Sequence, residues 1–450
     1  MSALHDAAFG APAMAALFDD VARVQAMLDF EAALARVEGR LGVIPAAAAD
    51  AIEAQCRAEL YDLPALYAEM SIAGNPAIPL VKHLTSKLEG EAARVVHWGG
   101  TSQDVMDTGL ALQMRGAFDL LETQLAALAD AAARLARDHR DTPMVGRTLL
   151  QQALPITFGL KAARWLDLAV RQVERLRALR AEAIALQFGG AAGTLASLGA
   201  EDGLKIMAAL AAELDLPEPV LPWHAERDRI GAVAGQLGSL AGSMAKIARD
   251  LTLMMQTEVA EAFEAPAAGK GGSSTLPHKR NPVDALFALA AARQAVALVP
   301  AVQGAAEQEH ERAAGAWHAE WIALPALFIH TSGAVARVAT ALATLEVDTA
   351  RMARNLDLTQ GLVLAEAAMM ALAPHLGRPE AKKVVEAGCR AAQAEDRHLK
   401  DVLAEVPEVA AALSPEALAA CFDPLAYQGA GAAFIDRALA HYAKVLPAAG

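Results

Sequence analysis

The fold is decided by residues 230–258, which read IGAVAGQLGSLAGSMAKIARDLTLMMQTE. Large apolar residues recur there three and four positions apart, which is the spacing of one face of an α-helix. These residues are Ile230, Val233, Leu237, Leu240, Met244, Ile247, Leu251 and Met254, and Glu258 breaks the pattern at its end. Glycines at 231, 235, 238 and 242 leave room for close helix contacts. At 1.5 Å per residue the helix would be roughly 40 Å long, which predicts the scaffold of a long-helix bundle.

Comparable helical patterns lie on both sides of this stretch. They cover residues 14–42, 105–139, a segment that ends near Leu186, 283–303 and 325–344. Hydrophobic residues make up 55% of the chain, many of them alanine, and aromatic residues only 4%. That composition favours helices packed through small side chains. No segment has a convincing strand period, so we predict an all-α fold.

The 450 residues are enough for two or three domains. We predict an N-terminal helical domain at 1–110, a central long-helix bundle at 111–360, and a small C-terminal domain at 361–450. In the last of these, prolines at 374, 379, 407 and 415 divide the chain into shorter helices.

Charge and cysteine usage limit the partners and the compartment. The net charge of −14 argues against a nucleic-acid partner. Cys56, Cys389 and Cys421 are widely spaced and form no disulfide or zinc pattern, which is typical of a reducing cytoplasm. The start of the chain does not resemble a signal peptide, and we find no uninterrupted apolar run of about 20 residues, so no membrane span is predicted. The histidines lack the short spacing of a metal site on a helix.

Residues 269–282, which read GKGGSSTLPHKRNP, carry the chemistry. Glycines allow unusual backbone conformations in the first half, and two prolines exclude a helix in the second half. Hydroxyl groups lie close in sequence to Lys279 and Arg280, and cations can ease the loss of a hydroxyl proton. A polar surface loop is the alternative interpretation.

This stretch resembles the signature loop of the fumarase–aspartase superfamily, Gly-Ser-Ser-x-Met-Pro-x-Lys-x-Asn-Pro, with Leu276 in place of the methionine. The resemblance implies that Ser273 transfers a proton at carbon. It implies that Lys279 and Asn281 hold the substrate carboxylate next to that carbon. His278 would contact the substrate or orient Lys279.

Two further segments match the superfamily in its usual order, Gly100–Asp104 and Gly146–Gln152. The resemblance implies substrate contacts from Thr101, Ser102, Gln103, Arg147, Thr148 and Gln151. Helix capping alone is the alternative for Thr101 and Ser102. The resemblance also implies an enzyme without a cofactor or metal, assembled as a homotetramer whose long helices form a common core and whose active sites are shared between subunits.

Leu149 stands where fumarases, adenylosuccinate lyases and argininosuccinate lyases carry a histidine that is tied to acid catalysis. Leucine cannot transfer a proton. Expelling an amine or hydroxide needs an acid, but a carboxylate, with a pKa of about 4, does not. We therefore predict the superfamily's lactonising cycloisomerase chemistry on a small tricarboxylate.

Two alternatives remain open. The first is an elimination of the adenylosuccinate lyase type, although His318 and Trp321 replace the serine and arginine that hold a nucleotide phosphate in those enzymes. The second is an inactive structural member of the superfamily, against which the intact Ser273, Lys279 and Asn281 argue.

Overall fold

The computed structural model describes residues 8–267, 270–272, 276 and 278–447. Its first half contains these elements: α1 Pro12–Leu17, α2 Asp20–Leu41, α3 Ala46–Glu53, α4 Leu63–Ala73, α5 Ala77–Ser86, α6 Ala92–Val95, α7 Ser102–Asp138, β1 Pro143–Thr148, β2 Gln151–Thr157, α8 Phe158–Ala183 and α9 Ala200–Glu213. The all-α prediction is confirmed, since helices dominate and the strands are short.

The second half begins with the helix that the apolar seam predicted, and it ends in the short helices that the prolines indicated. Its elements are α10 Asp228–Met254, β3 Ala262–Phe263, α11 Val283–Gly304, α12 Ala316–Ala343, β4 Glu346–Val347, α13 Thr349–Asp357, α14 Ala365–Leu376, α15 Arg378–Glu395, α16 Leu399–Ala404, α17 Pro407–Ala412, α18 Pro415–Ala420 and α19 Gly431–Val445. All eight apolar residues of the seam are at most 3% exposed. Glu258 lies beyond the end of α10.

The chain divides into two compact units. The first comprises residues 1–124, 172–245 and 287–336, and the second comprises 125–171, 246–286 and 337–450. Helices α7, α8, α10, α11 and α12 each contribute residues to both units. The predicted boundaries at 110 and 360 stay a prediction.

Each unit has its own core. In the first, Phe328 stacks on Phe18 with ring centroids 5.4 Å apart and meets Phe118 edge-on at 5.9 Å. In the second, the C-terminal helices enclose a cluster of aliphatic side chains that includes Leu372, Leu399 and Leu403, all completely buried. Burying a leucine-sized side chain is worth roughly 1.5–3 kcal/mol, so these clusters are sufficient to hold short helices in place.

The hairpin formed by β1 and β2 is an element that the sequence analysis missed. The strands pair antiparallel from Pro143–Thr157 to Thr148–Gln151, with a register irregularity between Val145 and Arg147. The strands alternate only weakly between buried and exposed positions. The turn lacks the asparagine and glycine that usually signal a two-residue hairpin loop.

Two helices, Val283–Gly304 and Ala316–Ala343, are by length and composition apolar enough to cross a membrane. A bent pair of helices between Thr349 and Leu376 would count as a third such span. In α12, 67% of the most apolar window is buried inside the chain, but in α11 only 33% is buried. Part of the apolar surface of α11 is therefore uncovered within one copy, at Leu286 and Val296, which are about half exposed.

Candidate active site

The first predicted segment is organised by the carboxylate of Asp104, which is completely buried. Asp104 Oδ2 accepts hydrogen bonds from the backbone N–H of Thr101 at 3.1 Å and of Gly190 at 2.8 Å. Its Oδ1 accepts from Gln187 Nε2, Gly189 N and His224 Nε2 at 2.8–3.0 Å. The bond to Thr101 is the return arm of a capping box, which fixes where α7 begins. The start of α7 is thus tied to the 187–190 loop.

The three substrate contacts predicted in this segment differ in their surroundings. Thr101 and Ser102 are half-buried at the helix start, and Asn75 Nδ2 lies 3.5 Å from Ser102 Oγ. Gln103 is completely buried, and its amide donates to Asp107 at 3.0 Å and to the carbonyl of His224 at 2.7 Å. Gln103 therefore supports the segment from inside, and its substrate contact stays a prediction.

Arg312 is a functional candidate to which the sequence analysis assigned no role. Its Nη2 donates to Thr101 Oγ1 at 3.0 Å and to the carbonyl of Ala191 at 3.3 Å. Its Nε is buried and has no hydrogen-bond partner among the residues described. A guanidinium with a spare donor beside a helix start can hold a carboxylate. The sequence signal was weak because Arg312 directly follows three closely spaced glutamates, Glu307, Glu309 and Glu311.

His97 lies four residues before Thr101 and forms a dyad with a buried carboxylate. His97 Nδ1 is 2.6 Å from Glu31 Oε1, and Glu31 is 1% exposed. Burial lowers the pKa of His97, but Glu31 outweighs that effect, so the net shift of the pKa is upward. Close by on α2, burial and the Glu31 charge raise the pKa of Glu38 to about 8. Two buried carboxylates, Glu31 and Glu38, therefore lie close to the first predicted segment.

The second segment forms the tip of the hairpin. Arg147 makes a bidentate pair with the completely buried Glu261 at 2.7 and 2.8 Å, and Asn355 Nδ2 donates to the same carboxylate at 2.8 Å. Thr148 and Gln151 are exposed, as a substrate contact requires. The charge of Arg147 is already neutralised, which weakens its predicted role as a substrate cation.

The two residues between the strands are Leu149 and Leu150, with φ of 52° and 66°. Both therefore adopt the left-handed conformation that glycine and asparagine favour, which costs leucine roughly 1–2 kcal/mol per residue. They are also 96% and 73% exposed. Strain combined with apolar exposure marks the tip as a functional feature.

The third segment is anchored at both ends. Gly271 has a φ of 68° and its carbonyl accepts from the Asn281 N–H at 3.0 Å. A Cβ at Gly271 would lie 2.8 Å from the Asn281 carbonyl, so only glycine fits there. The Lys270 ammonium bridges two buried carboxylates, Glu264 at 3.1 Å and Asp284 at 2.5 Å. The ends of the loop are thus fixed to the start of α11.

Between these anchors, Ser273 lies outside the described residues, together with 274, 275 and 277. His278 and Lys279 are exposed and Asn281 is half-buried. Lys279 forms no ion pair with any residue that the structure describes, so its charge is available to a ligand. Arg280 is instead used internally, since it donates to Glu264 O at 2.6 Å and to Glu346 at 2.8 Å. No group of metal-ligating side chains occurs among the described residues.

A family model described as lyase matches residues 7–297, which is more than half of the chain. The chain belongs to this lyase family. A second family model, described as adenylosuccinate lyase C-terminus, matches residues 361–438. The sequence-based assignment to the fumarase–aspartase superfamily is confirmed.

Individual lyases are similar over nearly the whole chain. The 3-carboxy-cis,cis-muconate cycloisomerase of Bradyrhizobium diazoefficiens is 54% identical, with 95% of each chain covered. The enzyme of the same name from Pseudomonas aeruginosa is 52% identical, covering 98% of this chain and 96% of that one. The crystal structure of 3-carboxy-cis,cis-muconate lactonizing enzyme from Pseudomonas putida superposes with a TM-score of 0.95 at 49% identity, covering 99% of this chain and 100% of that one.

Proposed function

We propose that this protein converts 3-carboxy-cis,cis-muconate to 4-carboxymuconolactone, a step of protocatechuate breakdown in the β-ketoadipate pathway. The relatives of this name are about half identical and cover nearly the whole chain. The observation in the site that carries the proposal is the hairpin tip, where Leu149 and Leu150 present no titratable group. Lactonisation needs no acid there, because the nucleophile is a carboxylate.

In this reaction one substrate carboxylate oxygen forms a C–O bond to the conjugated double bond. The electron pair of that double bond moves toward the carbon next to a second carboxylate, and Ser273 delivers a proton to that carbon. All atoms of the substrate stay in the product. Lys279 and Asn281 stabilise the negative charge that develops on the second carboxylate. The ammonium of Lys279, which is exposed and has no ion-pair partner in the described part of the chain, suits this role.

We assign the recognition of another substrate carboxylate to the start of α7. Thr101 and Ser102 lie at the first turn, where backbone N–H groups and the helix dipole favour an anion. Arg312 adds a positive charge that is held against Thr101, and its buried Nε has no hydrogen-bond partner among the residues described. Since Asp104 fixes this segment, the site pays little reorganisation cost when the anion binds.

We propose that the enzyme is a cytoplasmic homotetramer with active sites shared between subunits. The uncovered apolar surface of α11 supports assembly, with Leu286 and Val296 about half exposed in one copy. The free thiols of Cys56, Cys389 and Cys421 fit a reducing compartment. Mixing an inactive Thr148 variant with an inactive Ser273 variant should restore part of the activity, and no restoration would contradict shared sites.

The loss of the conjugated diene's ultraviolet absorbance tests the proposed reaction. Wild-type enzyme should remove this absorbance, and Ser273→Ala should lower turnover roughly 10²–10⁴-fold with little change in KM. The neighbouring Ser274→Ala serves as the matched control and should have a smaller effect. Full turnover by Ser273→Ala would refute the assignment of the proton donor.

An elimination of the adenylosuccinate lyase type is the second candidate, which the match of residues 361–438 favours. It would need an acid for its leaving amine, and the hairpin tip supplies none. Efficient cleavage of adenylosuccinate by the wild type would therefore replace the cycloisomerase proposal with this one. If neither substrate is turned over, the protein is an inactive member of its family.

A further inference from the structure

A cavity of about 290 Å³ lies beneath the hairpin tip, within the second unit. Its polar lining comes from Arg147, Lys161, Asp250 and Gln256. Leu150, Leu253, Met254 and Val259 form its apolar walls. The cavity is large enough for a small organic acid.

The charges around this cavity do not balance. Arg147 is neutralised by the bidentate pair with Glu261. Asp250 accepts a hydrogen bond from Trp165 Nε1 at 3.1 Å and is paired with Lys246. Lys161 has no ion-pair partner within 4 Å among the residues described. The three cations are Arg147, Lys161 and Lys246, and the two carboxylates are Glu261 and Asp250. One positive charge therefore remains, and Lys161 carries it.

The surroundings of Lys161 make this unpaired charge costly. Burial lowers the pKa of Lys161, and the more distant charge of Asp250 offsets only part of that effect. Lys246 and Arg147 lower the same pKa further, while Glu261 raises it slightly. When a carboxylate binds a partly buried ammonium that has no partner, the free energy of the protein is lowered. In a protein with a net charge of −14, such a local cation is where an anion binds.

We propose that the cavity beneath the hairpin binds one carboxylate of a small polycarboxylate through Lys161 Nζ. The apolar walls cover the carbon skeleton, and the amide of Gln256 donates a further hydrogen bond. Lys161 thereby takes the substrate-binding role that the sequence analysis assigned to Arg147, whose guanidinium holds the hairpin to Glu261. This inference rests on the proposed function in one respect: the proposed substrate or its lactone product is the polycarboxylate that would bind here.

Calorimetric titration with tricarballylate, a saturated tricarboxylate that cannot react, tests the site without turnover. Lys161→Met should weaken its binding about 10- to 100-fold, as expected when a charged hydrogen-bond donor is lost, and Lys161→Arg should retain most of the affinity. Lys382→Met removes the same charge elsewhere in the second unit, from a side chain that is 65% exposed, and should change the affinity less than about threefold. Equal affinity in wild type and Lys161→Met would overturn the proposal.

The melting temperature without ligand distinguishes binding from a structural role. Lys161→Met should melt at the same temperature as the wild type or higher, because an uncompensated cation is removed. A lower melting temperature together with unchanged tricarballylate affinity would assign Lys161 to the fold instead. Wild-type enzyme that binds tricarballylate but leaves carboxymuconate unchanged would refute the proposed function and leave this site intact.

Discussion

At the start of α7, the carboxylate of Asp104 is completely buried and accepts five hydrogen bonds. At the tip of the hairpin, by contrast, Leu149 is 96% exposed and both leucines hold the left-handed conformation. Both regions carry predicted substrate contacts, but the local structure that supports these contacts differs. The first is complete within one chain, whereas the second keeps strain and apolar exposure that one chain does not compensate. A strained backbone combined with an exposed apolar side chain is typical of a functional position.

The largest effect is expected at Asp104. Asp104→Asn places an amide hydrogen among groups that already donate, so the free energy of unfolding should fall by about 3–5 kcal/mol, and activity should fall with it. Asp138→Asn, on the same helix and 56% exposed, should change it by less than about 0.5 kcal/mol. Urea denaturation measures both, and a loss below about 1 kcal/mol for Asp104→Asn would contradict the role of this carboxylate.

The pKa of Glu38, which is raised to about 8, predicts that the stability of the region around the start of α7 depends on pH. Its pKa in the unfolded chain is near the ordinary value of 4.5, so the folded state binds the extra proton between these two values. Stability from this group is therefore present at low pH and is lost as pH rises toward 8.

Glu38→Gln should remove that loss and raise the free energy of unfolding at pH 8 by roughly 1–4 kcal/mol, with little effect near pH 4. The exposed Glu89→Gln is the control. Denaturation curves across this pH range measure both variants, and a Glu38→Gln protein that is less stable than the wild type at pH 8 would show that the carboxylate is ionised and paired.

At the hairpin tip, in contrast to Asp104, we expect a substitution to lower turnover without lowering stability. Replacing Leu149-Leu150 by Asn-Gly relieves two strained residues, so the melting temperature should stay equal or rise, with a local gain of about 2–4 kcal/mol, or about 1–2 kcal/mol per residue. Turnover should nevertheless fall, since the apolar tip is lost. Leu204→Asn, at a leucine that is 62% exposed elsewhere, should leave turnover unchanged. Unchanged turnover in the Asn-Gly variant would reduce the tip to an ordinary surface turn.

The smallest effect is expected for Leu149→His. Lactonisation offers the new imidazole no proton to move, so kcat should not rise by more than about twofold, and a charged ring would displace a substrate carboxylate. The rate of diene loss measures this variant. A large gain in rate would contradict the argument that Leu149 is found here because lactonisation needs no acid at this position.

The helices could be predicted because their burial repeats at a helical period, as the seam of α10 shows. The hairpin could not, because Leu149 and Leu150 occupy turn positions that usually reveal themselves by asparagine and glycine. Position within a signature segment identified Thr101 and Gln103 alike, but only the structure shows that Gln103 is completely buried. Arg312 and Lys161 were missed because their available charge depends on which neighbours are already paired, and pairing is a property of the fold.

The product formed in D₂O tests the central claim most directly. If a substrate carboxylate adds to the diene and Ser273 supplies the proton, NMR should show 4-carboxymuconolactone with one deuterium on the carbon next to a carboxylate. Because the serine hydroxyl exchanges with solvent before it donates, this label reports the proton-transfer step itself. Unconsumed carboxymuconate, or a lactone with no deuterium at that carbon, would contradict the mechanism.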